Sequence, residues 1–357
     1  MPVVLSTDTA HPKRREPLRD GILRIHRHCK AKAGKNQVTC LCCNGETKKF
    51  GRFQNHNRIV QRYRCVRCGK TMSESQPLAG IRTEFEQASK VVHLLSETMG
   101  LRAISRFTGY DLKTIHRILE SAGEHCARFL DAKVRNVKVP YVQADEVFSY
   151  IQQKPNGRNE DDPDRGSMWT FFSIAHREKL IINWRVCKRT GDEAESFLRD
   201  LKSRMAERFQ LTTDAFRGYV ATRSNVGNVK KVLHDCCDYA TETKVIKKDP
   251  LFTGQRIYFA PKILKITRQA RFGTPDMALA TTNHAERTNL SLRTFTRRFV
   301  RCTINFSKKT ENHRHAVAIF VATFNFCRVH KSLGGKTPAM AAGLTDHVWT
   351  IKELLTV

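Results

Sequence analysis

Two Cys-x2-Cys pairs constrain this chain more than any other feature. Cys40 and Cys43 form the first; Cys65 and Cys68 form the second, followed at once by Gly69-Lys70. Four thiolates at this spacing can close a tetrahedron around Zn2+. The stretch 37–76 has few large apolar groups and cannot build a core alone. The metal must then supply its folding free energy, roughly 10–16 kcal/mol in peptide systems. A zinc ribbon is therefore expected over 37–76. Cys42 is an alternative to Cys43, but a ligand two residues from Cys40 chelates with poorer geometry. Cys29, beside His26 and His28, reads as an ordinary reduced thiol. Lys48, Lys49, Arg52, Arg58, Arg62, Arg64 and Arg67 make the ribbon basic enough to touch DNA as well as fold.

The charge balance points to a polyanion. The chain has 63 Lys and Arg against 34 Asp and Glu, a net charge of +29. A folded chain this basic repels itself unless a polyanion shares the space, and nucleic acid is the usual one because phosphate contacts release counterions. At 357 residues, two or three domains are expected. No run of about 18 apolar residues is present, so no membrane span or membrane partner is expected. Met1–Ser6 is too short in apolar residues for a signal peptide. The twelve cysteines are accordingly read in a reducing cytosol, where metal binding is favoured over a disulfide framework.

Residues 1–36 read as a basic, flexible arm with His11-Pro12-Lys13-Arg14-Arg15 as its clearest patch. Residues 83–130 read as an all-α helix-turn-helix. Phe85, Ala88, Val91, Val92 and Leu95 recur at helical spacing, and Gly100 and Gly109 punctuate the stretch after them. Asp111 is placed to cap the next helix, whose buried stripe would be Leu112, Ile115, Ile118 and Leu119. Lys113, Thr114, His116 and Arg117 would then face outward, as a recognition helix presents itself to the major groove. Lys113, Thr114 and Arg117 are the candidate DNA contacts here. Residues 138–345 alternate strand-like and helix-like segments, with an insertion between about 225 and 280, and 346–357 form a tail. The run Glu160-Asp161-Asp162-Pro163-Asp164 reads as a solvated connection.

Three acids carry the candidate chemistry. Val137–Ile151 reads as a strand with Asp145 in its middle, and a buried strand does not place an ionised Asp beside a Glu without reason. Side chains alternate across a sheet, so Asp145 and Glu146 are expected on opposite faces, and only one can belong to a given site. Strands are expected at Met168–Ala175 and Leu180–Cys187. A helix is expected next, through Arg208, with Asp192 and Glu193 as capping groups. Phe209–Asp214 is a short strand ending in Asp214, where α/β sheets build their sites. A helix from Asn283 to about Val300 would align Glu286, Asn289 or Leu290, Arg293 and Arg297 on one face, the last two as DNA contacts. Two strands and a helix delivering Asp145, Asp214 and Glu286 suit two Mg2+ ions about 3.5–4 Å apart, the arrangement used for in-line displacement at phosphorus. Mn2+ is the alternative ion. Asp235 and Asp238 compete for a role, and His234, Cys236 and Cys237 read as non-catalytic.

This order of parts resembles the DDE transposases of bacterial insertion sequences, in the group named after insertion sequence one. The resemblance covers roughly residues 38–345. It is carried by Cys40–Gly69, the 102–119 helix-turn-helix, Ala144-Asp145-Glu146, Thr213-Asp214-Ala215-Phe216-Arg217-Gly218-Tyr219, and Glu286-Arg287-Thr288-Asn289-Leu290-Ser291-Leu292-Arg293. The run Arg298–Ser307 is the most specific match. Asn325, Arg328, His330 and Thr337-Pro338 resemble a tail shared by several transposase groups. The resemblance implies a multi-domain chain: zinc ribbon, helix-turn-helix, then an α/β RNase H-like domain with a mixed five-stranded sheet. It implies Mg2+-dependent cutting and joining of DNA, with Asp145, Asp214 and Glu286 as the metal-binding acids. Element inverted repeats and target DNA would be the partners, in a nucleoid-associated homo-oligomer. The interval from Asp214 to Glu286 is longer than compact enzymes of this fold have, and the basic stretch around Lys230–Arg271 is a candidate DNA surface. Two other readings stand beside this one. A zinc-ribbon regulator with an inert catalytic domain would bind DNA and never cut it. An RNase H-like nuclease or resolvase would cut and never join.

Overall fold

The computed structural model of the chain describes residues 33–34, 37–38, 40, 43, 45–55, 58–73, 78, 81–154, 162–220, 227–247, 262–300 and 304–357. The His11–Arg15 patch, Cys29 with His26 and His28, and Cys42 lie outside the described residues. The chain divides into two compact units, Met1–Ser75 and Gln76–Val357.

In the first unit, the two-residue strands β1 (Ala33–Gly34) and β2 (Gln37–Val38) pair antiparallel. The strands β3 (Thr47–Asn55), β4 (Arg58–Cys65) and β5 (Thr71–Ser73) form an antiparallel sheet in that order. Among the described residues, the core cluster of this unit is Cys40, Cys65 and Met72, with Cys43 and Tyr63 packed against it. Such a core falls far short of ordering a segment of this length by apolar burial.

The second unit begins with α1 (Phe85–Ser96), α2 (Leu101–Thr108) and α3 (Leu112–Lys133). Gly109 ends α2 with φ of 73°, a left-handed cap that suits glycine. Asp111 caps α3 by accepting from Lys113 N–H, and Ile115, Ile118 and Leu119 are buried as the periodicity requires.

The sheet of this unit holds six strands: β6 (Tyr141–Ile151), β7 (Gly166–Ala175), β8 (Ile181–Cys187), β9 (Phe209–Thr213), β10 (Cys237–Lys247) and β11 (Lys262–Phe272). Their order is β11-β10-β9-β6-β7-β8. β6 runs parallel to β9, β9 parallel to β10, and the remaining pairs are antiparallel. The expected five strands are thus six. The additional edge strand is β11, drawn from the long interval between Asp214 and Glu286. Ile263, Leu264 and Ile266 on it are all about half exposed, so it carries no half-buried alternation to announce it.

Helices cover both faces. Phe171 of β7 meets Phe197 of α4 (Gly191–Arg204) at 5.6 Å between ring centres. The next residue, Phe172, meets Phe320 of the long helix at 6.4 Å from the opposite face. Between these elements, α5 (Asn228–Leu233) packs beside α4. The helix α6 (Asn283–Phe295) leads by a 3-10 turn, Arg297–Phe299, toward α7 (Thr310–Phe326). The short helices α8 (Pro338–Ala341) and α9 (Ile351–Leu354) close the chain. Two expected boundaries move. The α4 helix stops at Arg204, where Met205 turns extended, instead of Arg208. The α6 helix stops at Phe295 instead of Val300, because Thr296 is extended. Among the described residues, no helix is long and apolar enough to cross a membrane.

The α3 and α7 helices approach closely at Gly123. A Cβ there would lie 2.3 Å from His315 Cβ and 2.6 Å from His315 Cα, so backbone would have to move. Gly123→Val is expected to lower stability by roughly 1–3 kcal/mol. An unchanged denaturation midpoint would show that the two helices can part at no cost.

Candidate functional site

Strand register creates the site. β6 and β9 pair in parallel from Tyr141↔Gln210 to Ala144↔Thr213, and β9 ends there. One step beyond the last pair stand Asp145 and Asp214. Glu146 joins them: one carboxylate oxygen from each of Asp145, Glu146 and Asp214 lies within 4.8 Å of the others. This corrects the expectation that Asp145 and Glu146 cannot serve one site. Their backbone positions do alternate, since Asp145 pairs with Phe172 and Glu146 with Phe171, which face opposite helical layers. But β9 has stopped, so the side of β6 that faced it is open and both side chains reach around toward Asp214. Asp145 Oδ1 accepts the Glu146 N–H at 2.8 Å, which curls it along its own strand.

Arg189, in the turn between β8 and α4, holds the other side. Its guanidinium donates to Glu146 Oε2 at 2.9 Å and to Asp214 Oδ2 at 3.4 Å. It is gripped between the rings of Phe216, 4.1 Å away, and Trp169, 4.8 Å away. One guanidinium does not offset three acids. Burial first, then the Asp214 charge, push Asp145 up to about 7 and Glu146 up to about 8. The Tyr219 hydroxyl is near enough to act on Glu146 but stops short of a hydrogen bond, and it and Glu146 Oε1 are buried without a partner.

The α6 helix is docked onto this strand. Buried Gln143 on β6 accepts the N–H groups of His284 and Ala285 at 2.9 and 3.1 Å, capping the helix N-terminus two residues before Asp145. Asn289 then donates to Asp145 Oδ2 at 2.8 Å. Glu286 sits one turn earlier, near enough for its charge to raise Asp145, yet outside the three-acid cluster. Its carboxylate takes Lys244 of β10 and the Thr282 hydroxyl instead.

The donor set fits a hard divalent cation. It is all oxygen, it carries excess negative charge, and Glu146 Oε1 and Asn289 Oδ1 are buried acceptors with no donor. A cation at the cluster would give Glu146 the partner it lacks.

Cys40, Cys43, Cys65 and Cys68 also converge. Cys40 Sγ lies 3.6 Å from Cys68 Sγ, and Cys43 Sγ lies 3.5 Å from Cys65 Sγ. A tetrahedron with Zn–S of about 2.3 Å has edges of about 3.8 Å, so these sulfurs fit zinc. The Cys68 N–H, donated to Cys65 Sγ, holds the Cys65 thiol down to about 6.

Lys113 and Arg117 are exposed on α3, and Thr114 is half-buried. Arg293 is half-buried on α6. Arg297 lies beyond the end of α6 in the 3-10 turn, so it does not continue the helix face of Glu286. Asp235 pairs with Lys202 and Asp238 with Arg208, away from the cluster. Cys237 is buried, and Cys236 is half-buried. Sequence reasoning missed Glu146, Arg189, Gln143 and Lys244. The adjacency Asp145-Glu146 was the one available signal.

No family model matches the chain, and no curated protein does. Among solved structures, the chain is similar to a cryo-EM structure of piggyBac transposase synaptic complex with hairpin DNA, at a TM-score of 0.40 and 10% identity, over 76% of this chain and 68% of that one. So loose a likeness leaves the geometry of the acids to carry the chemistry.

Proposed function

We propose that this chain is a DNA transposase with an RNase H-like catalytic domain over 138–345, a helix-turn-helix over 83–130 and a zinc ribbon over 37–76. The observation that carries the reading is the meeting of Asp145 and Asp214 at the end of the β6–β9 ladder, with α6 docked on Asp145. Asp145, Asp214 and Glu286 would hold Mg2+, and Glu146 adds a further oxygen. A divalent ion held there would supply Lewis-acid activation of an attacking hydroxyl or water and charge neutralisation at the leaving oxygen. The chain's own residues do the rest. Asn289 and the Glu146 N–H orient Asp145, Arg189 holds Glu146 and Asp214 together, and Glu286 enters the set by leaving Lys244. The net charge of +29 supports a DNA substrate.

The test is the purified chain with Mg2+ and a duplex carrying the DNA that flanks its coding sequence. Cleavage followed by joining to a second duplex is expected. Cleavage without joined product would favour a nuclease, and binding without cleavage a regulator. Within the same assay, Arg117→Ala is expected to weaken binding to the flanking repeats more than to random DNA, by about 10-fold or more if it reads a base. Equal losses on both DNAs would make Arg117 a phosphate contact.

A further inference from the structure

A cavity of about 550 Å3 opens among α1, α2, α3, the end of α6 and α7. Leu119, Ala316, Ile319 and Phe320 give it apolar surface, and Phe295 and Phe306 add two rings. Its charged lining among the described residues is cationic: Arg102, Arg297, Arg298 and Lys308, with no Asp or Glu.

Arg298 is the cation whose position is imposed. Its guanidinium donates to Ser307 Oγ at 2.8 Å. Ser307 Oγ lies 2.9 Å from His313 Nδ1, and His313 Nε2 lies 3.2 Å from Ser149 Oγ on β6. Ser149 spends its own hydrogen on Met168 O. His313 Nε2 must then be the donor to Ser149, and Nδ1 the acceptor from Ser307, whose lone pair is left for Arg298. The chain runs one way, from guanidinium to strand, through a histidine that burial keeps neutral. Burial alone pushes Arg298 down, to about 10, so it stays charged at neutral pH, and no carboxylate among the described residues offsets it. A half-buried cation held in place by a buried hydrogen-bond chain, with no carboxylate paired to it among the described residues, suits an anion. The same side of the unit continues cationic, since Arg102 and Arg297 also line an adjoining cleft with Arg106.

We propose that this cavity receives one unstacked nucleotide of the bound DNA strand, with its base against Phe295 and Phe306 and its phosphate on Arg298. The proposal rests on the DNA-processing reading of the acidic site. Aromatic rings beside a fixed cation suit a base with its phosphate. A second copy of this chain, itself at +29, is disfavoured as occupant by charge. The α6 helix links the cavity to the acids. Glu286 and Phe295 are nine residues apart on it, about 13 Å along the axis at 1.5 Å per residue, or about four steps of B-form DNA.

The full chain is mixed with a single-stranded thymidine octamer carrying one 5-iodouracil, irradiated, and the crosslinked peptide identified. A crosslink at His116, Phe295 or Phe306 is expected. Ala316→Trp, which fills the cavity and leaves every cation in place, should abolish that crosslink and weaken binding by roughly 10-fold. Arg298→Gln should weaken binding similarly. Crosslinks confined to other surfaces, or a crosslink unchanged in Ala316→Trp, would overturn the proposal while leaving the transposase reading intact. So would an abasic strand that binds as tightly as the thymidine strand. Failure of the unmodified chain to bind any DNA would overturn both.

Discussion

Asp145→Asn is expected to abolish Mg2+-dependent cleavage and, in Mg2+-free buffer above about pH 7, to make the chain more stable. The first effect would come from losing a carboxylate proposed to hold the metal. Several kcal/mol of charge stabilisation at phosphorus is about 10^3-fold or more in rate. The second comes from the site's electrostatics. Asp145 is raised to about 7 by burial and by Asp214, against about 3.9 for an unfolded Asp. Between those values the folded chain holds a proton that the unfolded chain has released, so stability falls as pH rises through that window. An amide removes that penalty. It can also keep the local bonds: it still accepts the Glu146 N–H, and Asn289 can turn its unpartnered Oδ1 to meet the new donor. The melting midpoint should therefore rise by a few degrees at pH 8, at about 2–4 °C for each kcal/mol, and change little near pH 4. Mg2+ affinity of the unmodified chain should climb up to about pH 8, because Asp145 and Glu146 must lose their protons to bind it. DNA binding should survive. A variant that melts lower at every pH and loses DNA would assign Asp145 to folding instead.

That trade of stability for a binding site explains which parts of this protein are legible in its sequence. Elements whose local pattern and tertiary role agree are readable. Asp111 caps α3, Asp214 follows the last residue of β9, and the four cysteines cluster, because spacing alone determines each. Glu146 was not readable as a site residue. Alternation puts Asp145 and Glu146 on opposite faces, but β9 stops at Thr213, and beyond its end both side chains reach Asp214. Nor was β11, whose exposed apolar residues lack a buried face to set their period. Arg189 and Lys244 come from a turn and a distant strand, and only the folded sheet brings them to the acids. The end of α6 was misplaced because Thr296 interrupts a run that otherwise keeps helical periodicity through Val300.

Stripping zinc, or replacing Cys65 by Ser, is expected to unfold Met1–Ser75 while Gln76–Val357 keeps its own melting transition. Among the described residues, the buried apolar set of the first unit is four side chains, Cys40, Val60, Cys65 and Met72, two of them cysteines. At roughly 25 cal/mol per Å2, so little burial cannot offset about 1–2 kcal/mol of backbone entropy per ordered residue. Zinc coordination, roughly 10–16 kcal/mol in peptide systems, is of the size required. Cys65 is the most sensitive position because its sulfur is buried and already favoured as thiolate by the Cys68 N–H. Proteolysis should then cut within β3–β5 of Cys65→Ser and of the chelated chain, and spare both in the zinc-loaded protein. DNA affinity should fall as well, because the ribbon's arginines lose their fixed placement. The metal is checked directly by its stoichiometry. One zinc per chain is expected, and a fully folded, protease-resistant first unit with none would show that the four sulfurs gather for another reason.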